Sequence, residues 1–206
     1  METKNIKNRV SDLKRETNET KINVKVNLDG NGKNNIKTGL PFFDHMLEQL
    51  SKHSLIDVDL ICKGDLHIDS HHTVEDIGWA LGKAIDKALG EKRGIKRYSY
   101  SYLPMDECLT RCCIDISGRP WLIWKVFLPS TAINNIETEI FREFFQSFSQ
   151  SAGITLHIEN LYGNNTHHII ESCFKSLAIS LKEAVKIDEN NSENIPSTKG
   201  ILNGSN

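Results

Sequence analysis

The spacing of apolar residues in the first half of the chain predicts alternating strands and helices. After a polar start, Ile22, Val24, Val26 and Leu28 alternate with polar residues, as in a strand with one buried face. The turn residues of DGNGKNN predict a hairpin from that strand into NIKTG. In PFFDHMLEQLSKHS, apolar residues recur three and four positions apart, which predicts a helix. LIDVDLICKG alternates again, and HHTVEDIGWALGKAIDKALG predicts a longer helix that ends at Gly90.

The second half is similar, because both halves end in a strand-helix-strand-helix series. IKRYSYSYL, CLTRCCIDI and PWLIWKVFL predict strands, TEIFREFFQSFSQSAG a helix, ITLHIEN a strand and HHIIESCFKSLAISLKEAV a final helix. Each half therefore ends on a helix that begins with HHxxE, which predicts an internal duplication with half-repeats at about residues 15–92 and 93–187. The tail, residues 188–206, is rich in Asn and Ser, and this composition predicts mobility when no ligand is bound.

Composition narrows the class of protein. With 206 residues, 38% of them hydrophobic, the chain can bury a sizeable core, and we expect one domain over residues 1–206. A net charge of −2 gives no argument for binding nucleic acid or an anionic membrane. Without an apolar run of signal-peptide or transmembrane length, a cytoplasmic location is expected. The five cysteines form no CxxC pair, so neither a disulfide framework nor a zinc ribbon is predicted.

The repeated HHxxE motif is the strongest chemical signal. On a helix, His71 and Glu75 share a face, while His72 is displaced by about 100°. One motif alone would be explained by surface or capping histidines, but two copies in matching helices favour metal binding. The preceding helix of each half adds one further donor, His45 or Glu143, at a similar place. The predicted metal ligands are therefore His45, His71, His72, Glu75, Glu143, His167, His168 and Glu171.

These donors indicate the kind of metal site. They divide evenly between two sites, and each site would leave open positions on a six-coordinate ion, which suggests catalysis. Imidazole and carboxylate without thiolate favour Mn²⁺ over structural Zn²⁺, and Zn²⁺, Co²⁺ and Fe²⁺ remain alternatives. Scattered basic and hydroxyl side chains could converge on a phosphate, although each alone would be explained as a solvated surface group. They are Arg97, Arg119, Lys175, Ser197 and Lys199.

Nine segments, from about residue 15 to 202, resemble the imidazoleglycerol-phosphate dehydratase family. They are RETNET, FFDHMLEQLSKH, GDLHIDSHHTVEDIGWALGKA, ALGEKRGIKRY, PMDE, DISGRP, TLHI, GNNTHHIIESCFKSLA and PSTKG. The resemblance implies an α+β fold of two similar halves, ribosomal protein S5 domain 2-like, with the helices of both halves packed together. It also implies a homo-oligomer of twenty-four subunits with octahedral symmetry and sites at subunit contacts. No phosphatase motif precedes the domain, so the chain is similar to the monofunctional form.

The resemblance also implies residue roles. It places metal ligands at seven of the positions above, whereas Glu143 stands where many members carry His. Glu19 falls at the acid/base position. Pro41 replaces a usual glycine, and Cys108 and Cys173 replace small residues; these changes are expected to affect packing alone. The implied substrate contacts are Glu19, Gln49, Arg97, Arg119, Lys175, Ser197, Thr198 and Lys199.

The implied reaction is a hydro-lyase step of histidine biosynthesis. D-erythro-imidazole glycerol phosphate would lose water to give imidazole-acetol phosphate, with two Mn²⁺ per active site. Ions on both ring nitrogens would stabilise the ring as imidazolate, which can then expel the neighbouring hydroxyl. The residues alone leave two alternatives open. One is a two-metal phosphohydrolase, and the other is a structural assembly that holds metal without turnover.

Overall fold

A computed structural model describes residues 9–202 as two four-stranded sheets with four helices between them. Two helices cover each sheet, and each of these helices also packs on a helix of the other half. The first eight residues of the predicted domain and the last four of the predicted tail lie outside the described residues. Within the described part of the chain, no helix combines the length and apolar character needed to cross a membrane.

The first half contains one sheet and two helices. Its elements are β1 (Val10–Glu16), β2 (Thr20–Asn27), β3 (Asn34–Lys37), α1 (Pro41–Ser54), β4 (Asp57–Gly64) and α2 (His71–Leu89). The strand order is β1-β2-β4-β3. Pro41 occupies the first turn of α1, where its missing N–H costs nothing, and Gly90 ends α2 as predicted.

The second half repeats the strand order, as β5-β6-β10-β7. Its elements are β5 (Tyr98–Met105), β6 (Cys108–Asp115), β7 (Trp121–Lys125), the short strands β8 (Ala132–Ile133) and β9 (Ile136–Glu137), α3 (Ile140–Ala152), β10 (Thr155–Tyr162) and α4 (Thr166–Ala184). A short 3₁₀ helix, Glu189–Asn191, follows. The shared strand order and helix placement confirm the α+β fold of two similar halves.

One prediction for the first sheet is wrong, and one of its strands was not predicted. β2 and β3 do not form a hairpin, because β4 lies between them: Leu60 pairs with Val24 on the antiparallel side and with Ile36 on the parallel side. The polar start contains β1, in which Leu13 is buried and pairs with Val24. The false hairpin reflects pairing with a distant strand, which local alternation of apolar residues does not encode. β1 is joined to β2 by a short turn, and it was missed because Leu13 is its only buried apolar residue.

Aromatic residues fill the space between the sheets. The Phe174 ring of α4 stacks on that of Phe144 in α3 with centroids 5.0 Å apart, and Phe43 of α1 meets Phe144 edge-on at 5.4 Å. All three side chains are fully buried. Because these rings come from helices of both halves, their packing stabilises the contact between the halves.

Close approach of α2 and α3 depends on glycine. A Cβ added at Gly78 would lie 2.6 Å from the carbonyl oxygen of Phe144. We expect Gly78→Ala to lower the free energy of unfolding by about 1–3 kcal/mol, because the backbones must separate to admit the methyl group. Urea unfolding measures this loss, with exposed Lys87→Ala on the same helix as control. Equal stability of both variants would show that the helices adjust without cost.

Candidate metal centre

Three of the predicted metal ligands form one cluster between α1 and α4. Glu171 Oε2 lies 2.9 Å from His167 Nε2 and 3.6 Å from His45 Nε2. One ligand atom from each residue lies within 4.8 Å of the other two. His45 belongs to the first half and the other two residues to the second, so the cluster is built across the duplication. Two imidazole nitrogens and a carboxylate oxygen fit a divalent transition metal ion with open positions.

Glu171 is held as a carboxylate. Its side chain is buried, and its second oxygen, Oε1, accepts a hydrogen bond from Lys175 Nζ at 2.6 Å. Burial raises the pKa of Glu171, but hydrogen bonds from Lys175 and His167 outweigh burial and leave this pKa below its ordinary value. Lys175, predicted as a substrate contact, therefore lies beside the cluster.

Side-chain hydrogen bonds fix the first residues of α2 and α4, and in α4 they come from the N-cap residue. The His71 N–H donates to Asp69 Oδ1 at 2.8 Å, and the side chain of Asn165 accepts from the N–H groups of His167 and His168. His71 Nε2 then lies 3.6 Å from Glu75 Oε2 on the next turn. This pair has the geometry that the i, i+4 spacing predicts.

The second histidine of each motif points elsewhere. His72 Nδ1 lies 2.9 Å from Asp65 Oδ2, and His168 Nδ1 lies 2.7 Å from Glu107 Oε2. These hydrogen bonds raise the pKa of each histidine and lower the pKa of Glu107 to about 2. Neither histidine joins the cluster formed by His45 among residues 9–202.

Glu143 lies on α3, and its Oε1 accepts a hydrogen bond from Arg142 at 2.8 Å. It is not grouped with other candidate ligands in the part of the chain that the structure describes. Its role as a ligand stays a prediction.

Glu19 lies on the turn between β1 and β2. Its N–H donates to Thr17 Oγ1, and its carbonyl oxygen accepts from the Asp65 N–H at 3.0 Å. The side chain is about half exposed, with Oε1 3.7 Å from His72 Nε2. The predicted acid/base residue is thus free to meet a ligand beside a predicted metal-binding histidine.

The predicted anion-binding residues lie mainly at the other end of α4. Arg97 is buried, forms a bidentate ion pair with Asp115 and donates to the Pro196 carbonyl oxygen at 2.8 Å. Its N–H donates to the Ala184 carbonyl oxygen, at the last residue of α4. Ser197, Thr198 and Lys199 follow Pro196 directly, and the exposed Arg119 follows β6. Gln49 is separate from this group and hydrogen-bonds to His53.

Sequence reasoning missed the carboxylates that contact His72 and His168. Asp65 directly follows β4 and Glu107 directly precedes β6, and Asp106 Oδ2 lies 3.7 Å from His168 Nε2. The available signal was an acidic residue at a strand end beside each HHxxE motif. That signal is weak, because acidic residues are common in turns.

Comparison with known proteins decides the family. The family model for imidazoleglycerol-phosphate dehydratase matches residues 38–181. Relatives of that name from Zymomonas mobilis and Sinorhizobium fredii are each 54% identical over 194 residues, which is 94% of this chain and 99% and 96% of theirs. The chain belongs to the imidazoleglycerol-phosphate dehydratase family.

Solved structures of dehydratases share the fold. The crystal structure of the Staphylococcus aureus enzyme has a TM-score of 0.79 and 33% identity, and covers 87% of this chain and 99% of its own. That of the Pyrococcus furiosus enzyme has the same TM-score and identity, and covers 92% and 100%. The chain is therefore a hydro-lyase of histidine biosynthesis that acts on a small-molecule substrate.

Proposed function

We propose that this dehydratase depends on Mn²⁺ and converts D-erythro-imidazole glycerol phosphate to imidazole-acetol phosphate. The observation that carries the proposal is the cluster of His45, His167 and Glu171 in a member of this family. The chemistry that two divalent ions supply when bound is Lewis-acid activation of the imidazole ring. Imidazole and carboxylate donors without thiolate favour Mn²⁺ for this role.

Glu19 is the group that moves a proton on the substrate side chain. Its carboxylate is exposed at a turn that the Thr17 hydroxyl and the Asp65 N–H hold in place. A carboxylate so placed can take the proton from the carbon adjacent to the one that loses its hydroxyl, and that hydroxyl leaves as water. The elimination product is an enol, which becomes the ketone.

The other end of α4 binds the phosphate. Arg97 joins the tail at Pro196 to Asp115 at the end of β6. Ser197, Thr198 and Lys199 follow Pro196, and Arg119 lies four residues after Asp115. Basic and hydroxyl side chains of this kind hold a phosphate through charge-assisted hydrogen bonds. Fixing the phosphate would orient the reacting carbons.

The two ends of α4 are too far apart to serve one substrate. From His168 to Ala184 the helix rises about 24 Å, at 1.5 Å per residue. A substrate of one imidazole ring and a three-carbon phosphate side chain does not span that length. We call the start of α4, with the cluster, the metal end of the subunit, and the region of Arg97 its phosphate end. The metal end of one subunit must therefore work with the phosphate end of another, which supports active sites shared between subunits.

The proposed assembly is an octahedral homo-oligomer of twenty-four subunits, with two Mn²⁺ per active site. One ion would be held by His45, His167 and Glu171, and the other by His71, Glu75 and Glu143, with His72 and His168 completing sites of neighbouring subunits. Exposed apolar side chains support extensive contacts between subunits: Phe127 is 79% exposed and Trp121 65%. Light scattering on the purified protein would give the subunit number.

Two further proposals concern the whole chain. We take residues 1–206 to act as one domain, since the helices of each half pack against those of the other. The proposed cytoplasmic location is supported by the cysteines, all five of which are free thiols, as a reducing compartment maintains them.

A metal-removal experiment tests the proposed function. Protein stripped of metal by a chelator should have no measurable turnover, and added Mn²⁺ should restore formation of the ketone from imidazole glycerol phosphate. Free phosphate is measured in parallel and should not appear. Metal-dependent phosphate release would instead indicate a phosphohydrolase, and full turnover of the stripped enzyme would remove metal from the mechanism.

A further inference from the structure

His72 and His168 each have one ring nitrogen engaged by a carboxylate. Nδ1 lies 2.9 Å from Asp65 Oδ2 in one case and 2.7 Å from Glu107 Oε2 in the other. The histidines of the cluster behave differently, since it is Nε2 of His45 and His167 that faces Glu171. The two classes of histidine therefore differ in which nitrogen is already occupied.

Burial restricts the carboxylate of Asp65, and backbone hydrogen bonds hold that of Glu107 in place. The side chain of Asp65 is only 10% exposed, and its Oδ1 is buried without a hydrogen-bond partner among the described residues. Glu107 Oε1 accepts from the N–H groups of Asn164 at 3.2 Å and Asn165 at 2.9 Å, just before α4 begins. Keeping a carboxylate largely out of water for one histidine costs free energy, which argues for a specific role.

The arrangement fixes the tautomer of each histidine. A carboxylate accepts the proton of Nδ1–H, so the lone pair remains on Nε2. In each case Nε2 faces exposed carboxylates, 3.7 Å from Glu19 Oε1 for His72 and 3.7 Å from Asp106 Oδ2 for His168. The free nitrogen thus points to the accessible side of the molecule.

The two halves reach this geometry with residues that are not equivalent. Asp65 follows β4, whereas Glu107 precedes β6, and the position that corresponds to Glu107 in the first half is that of Glu19 before β2. Simple inheritance from the duplication would have placed the carboxylates at matching positions. Two different residues therefore supply the same carboxylate hydrogen bond to Nδ1, which indicates that this hydrogen bond is needed in both halves.

We propose that Asp65 and Glu107 are positioning residues that hold His72 and His168 with Nε2 directed at a metal ion. The inference rests on the proposed metal-dependent function and extends it to two residues outside the predicted ligand set. Outer carboxylates of this kind orient a histidine ligand, and their loss typically weakens metal affinity about 10- to 100-fold.

The test measures metal affinity rather than activity. Mn²⁺ is titrated into metal-stripped full-length protein, and free Mn²⁺ is followed by electron paramagnetic resonance. Asp65→Asn and Glu107→Gln should each weaken Mn²⁺ binding about 10- to 100-fold. Asp59→Asn and Glu91→Gln, exposed carboxylates away from both histidines, are matched controls and should bind as the wild type does. Asp65→Glu and Glu107→Asp keep the charge, so they should recover part of the affinity.

A double-mutant cycle separates positioning from a general structural effect. In a His72→Ala background, Asp65→Asn should cause no further loss of affinity, because the histidine through which it acts is gone. If Asp65→Asn lowers Mn²⁺ affinity equally in the wild-type and His72→Ala proteins, the positioning role is overturned. Wild-type affinity of Asp65→Asn and Glu107→Gln would also overturn it. Both results leave the proposed metal dependence intact. Wild-type protein that takes up no Mn²⁺ would overturn the proposed metal dependence, and with it this role.

Discussion

Replacing Glu19 with glutamine is expected to lower turnover about 10²- to 10⁴-fold, the range typical for loss of a general acid or base. Glutamine keeps the size and hydrogen-bonding shape of the side chain but cannot carry the proton. Because the Glu19 side chain is exposed and only its backbone holds the turn, stability, assembly and Mn²⁺ content should not change. The measurements are kcat from ketone formation, light scattering and metal content.

The matched control for this change is Glu16→Gln. Glu16 lies on the adjoining strand, is more exposed than Glu19 and forms an ion pair with Lys21. It should keep wild-type turnover. If Glu19→Gln also kept it, proton transfer would have to be assigned to another group, with bound water or hydroxide as the first candidate.

Glu171→Gln is expected to remove both metal and activity. Glu171 Oε2 faces His45 and His167, so this carboxylate supplies the negative charge at the centre of the cluster. Loss of a direct ligand should weaken Mn²⁺ binding by more than about 100-fold, beyond the effect of losing an outer partner. Turnover should fall with metal occupancy. Titration of stripped protein with Mn²⁺ and steady-state kinetics at saturating Mn²⁺ measure the two effects.

Glu183→Gln on the same helix is the control for Glu171. Glu183 is partly exposed and pairs with Lys96 at 2.9 Å, far from the cluster. It should keep wild-type metal affinity. Full metal binding by Glu171→Gln would refute the proposed cluster. If turnover were lost as well, Glu171 would act in the reaction itself and not as a metal ligand.

The helices could be predicted from the sequence, but the sheet pairing could not. α1 and α2 begin and end where the apolar spacing predicts, because amphipathic periodicity and the signals of Pro41 and Gly90 are local. β3 pairs with β4, which comes after α1 in the chain, and not with β2, which precedes it. The turn residues between β2 and β3 therefore predicted a hairpin that does not form. β1 was missed because Leu13 is its only buried apolar residue, so the strand shows no alternation of apolar and polar positions.

The site was predicted by residue type and not by grouping. The repeated HHxxE motif identified candidate ligands, yet their arrangement depends on α1 packing against α4 of the other half, which brings His45 to His167. Asp65 and Glu107 could not be assigned, because they meet His72 and His168 only through the tertiary fold. The residue types that can bind a metal are visible in the sequence. Which of them lie close together depends on how distant segments pack.

The position of Arg97 at the far end of α4 has a genetic consequence. On the proposed assembly, every subunit gives its metal end to one active site and its phosphate end to another. In an oligomer of mutant and wild-type subunits, a mutant subunit would then inactivate sites to which wild-type subunits also contribute. A defective allele would therefore be partly dominant when both kinds of subunit are made in one cell. Two alleles, one defective at the metal end and one at the phosphate end, could instead compensate one another. In an oligomer that contains both kinds of subunit, some active sites combine an unaltered metal end with an unaltered phosphate end.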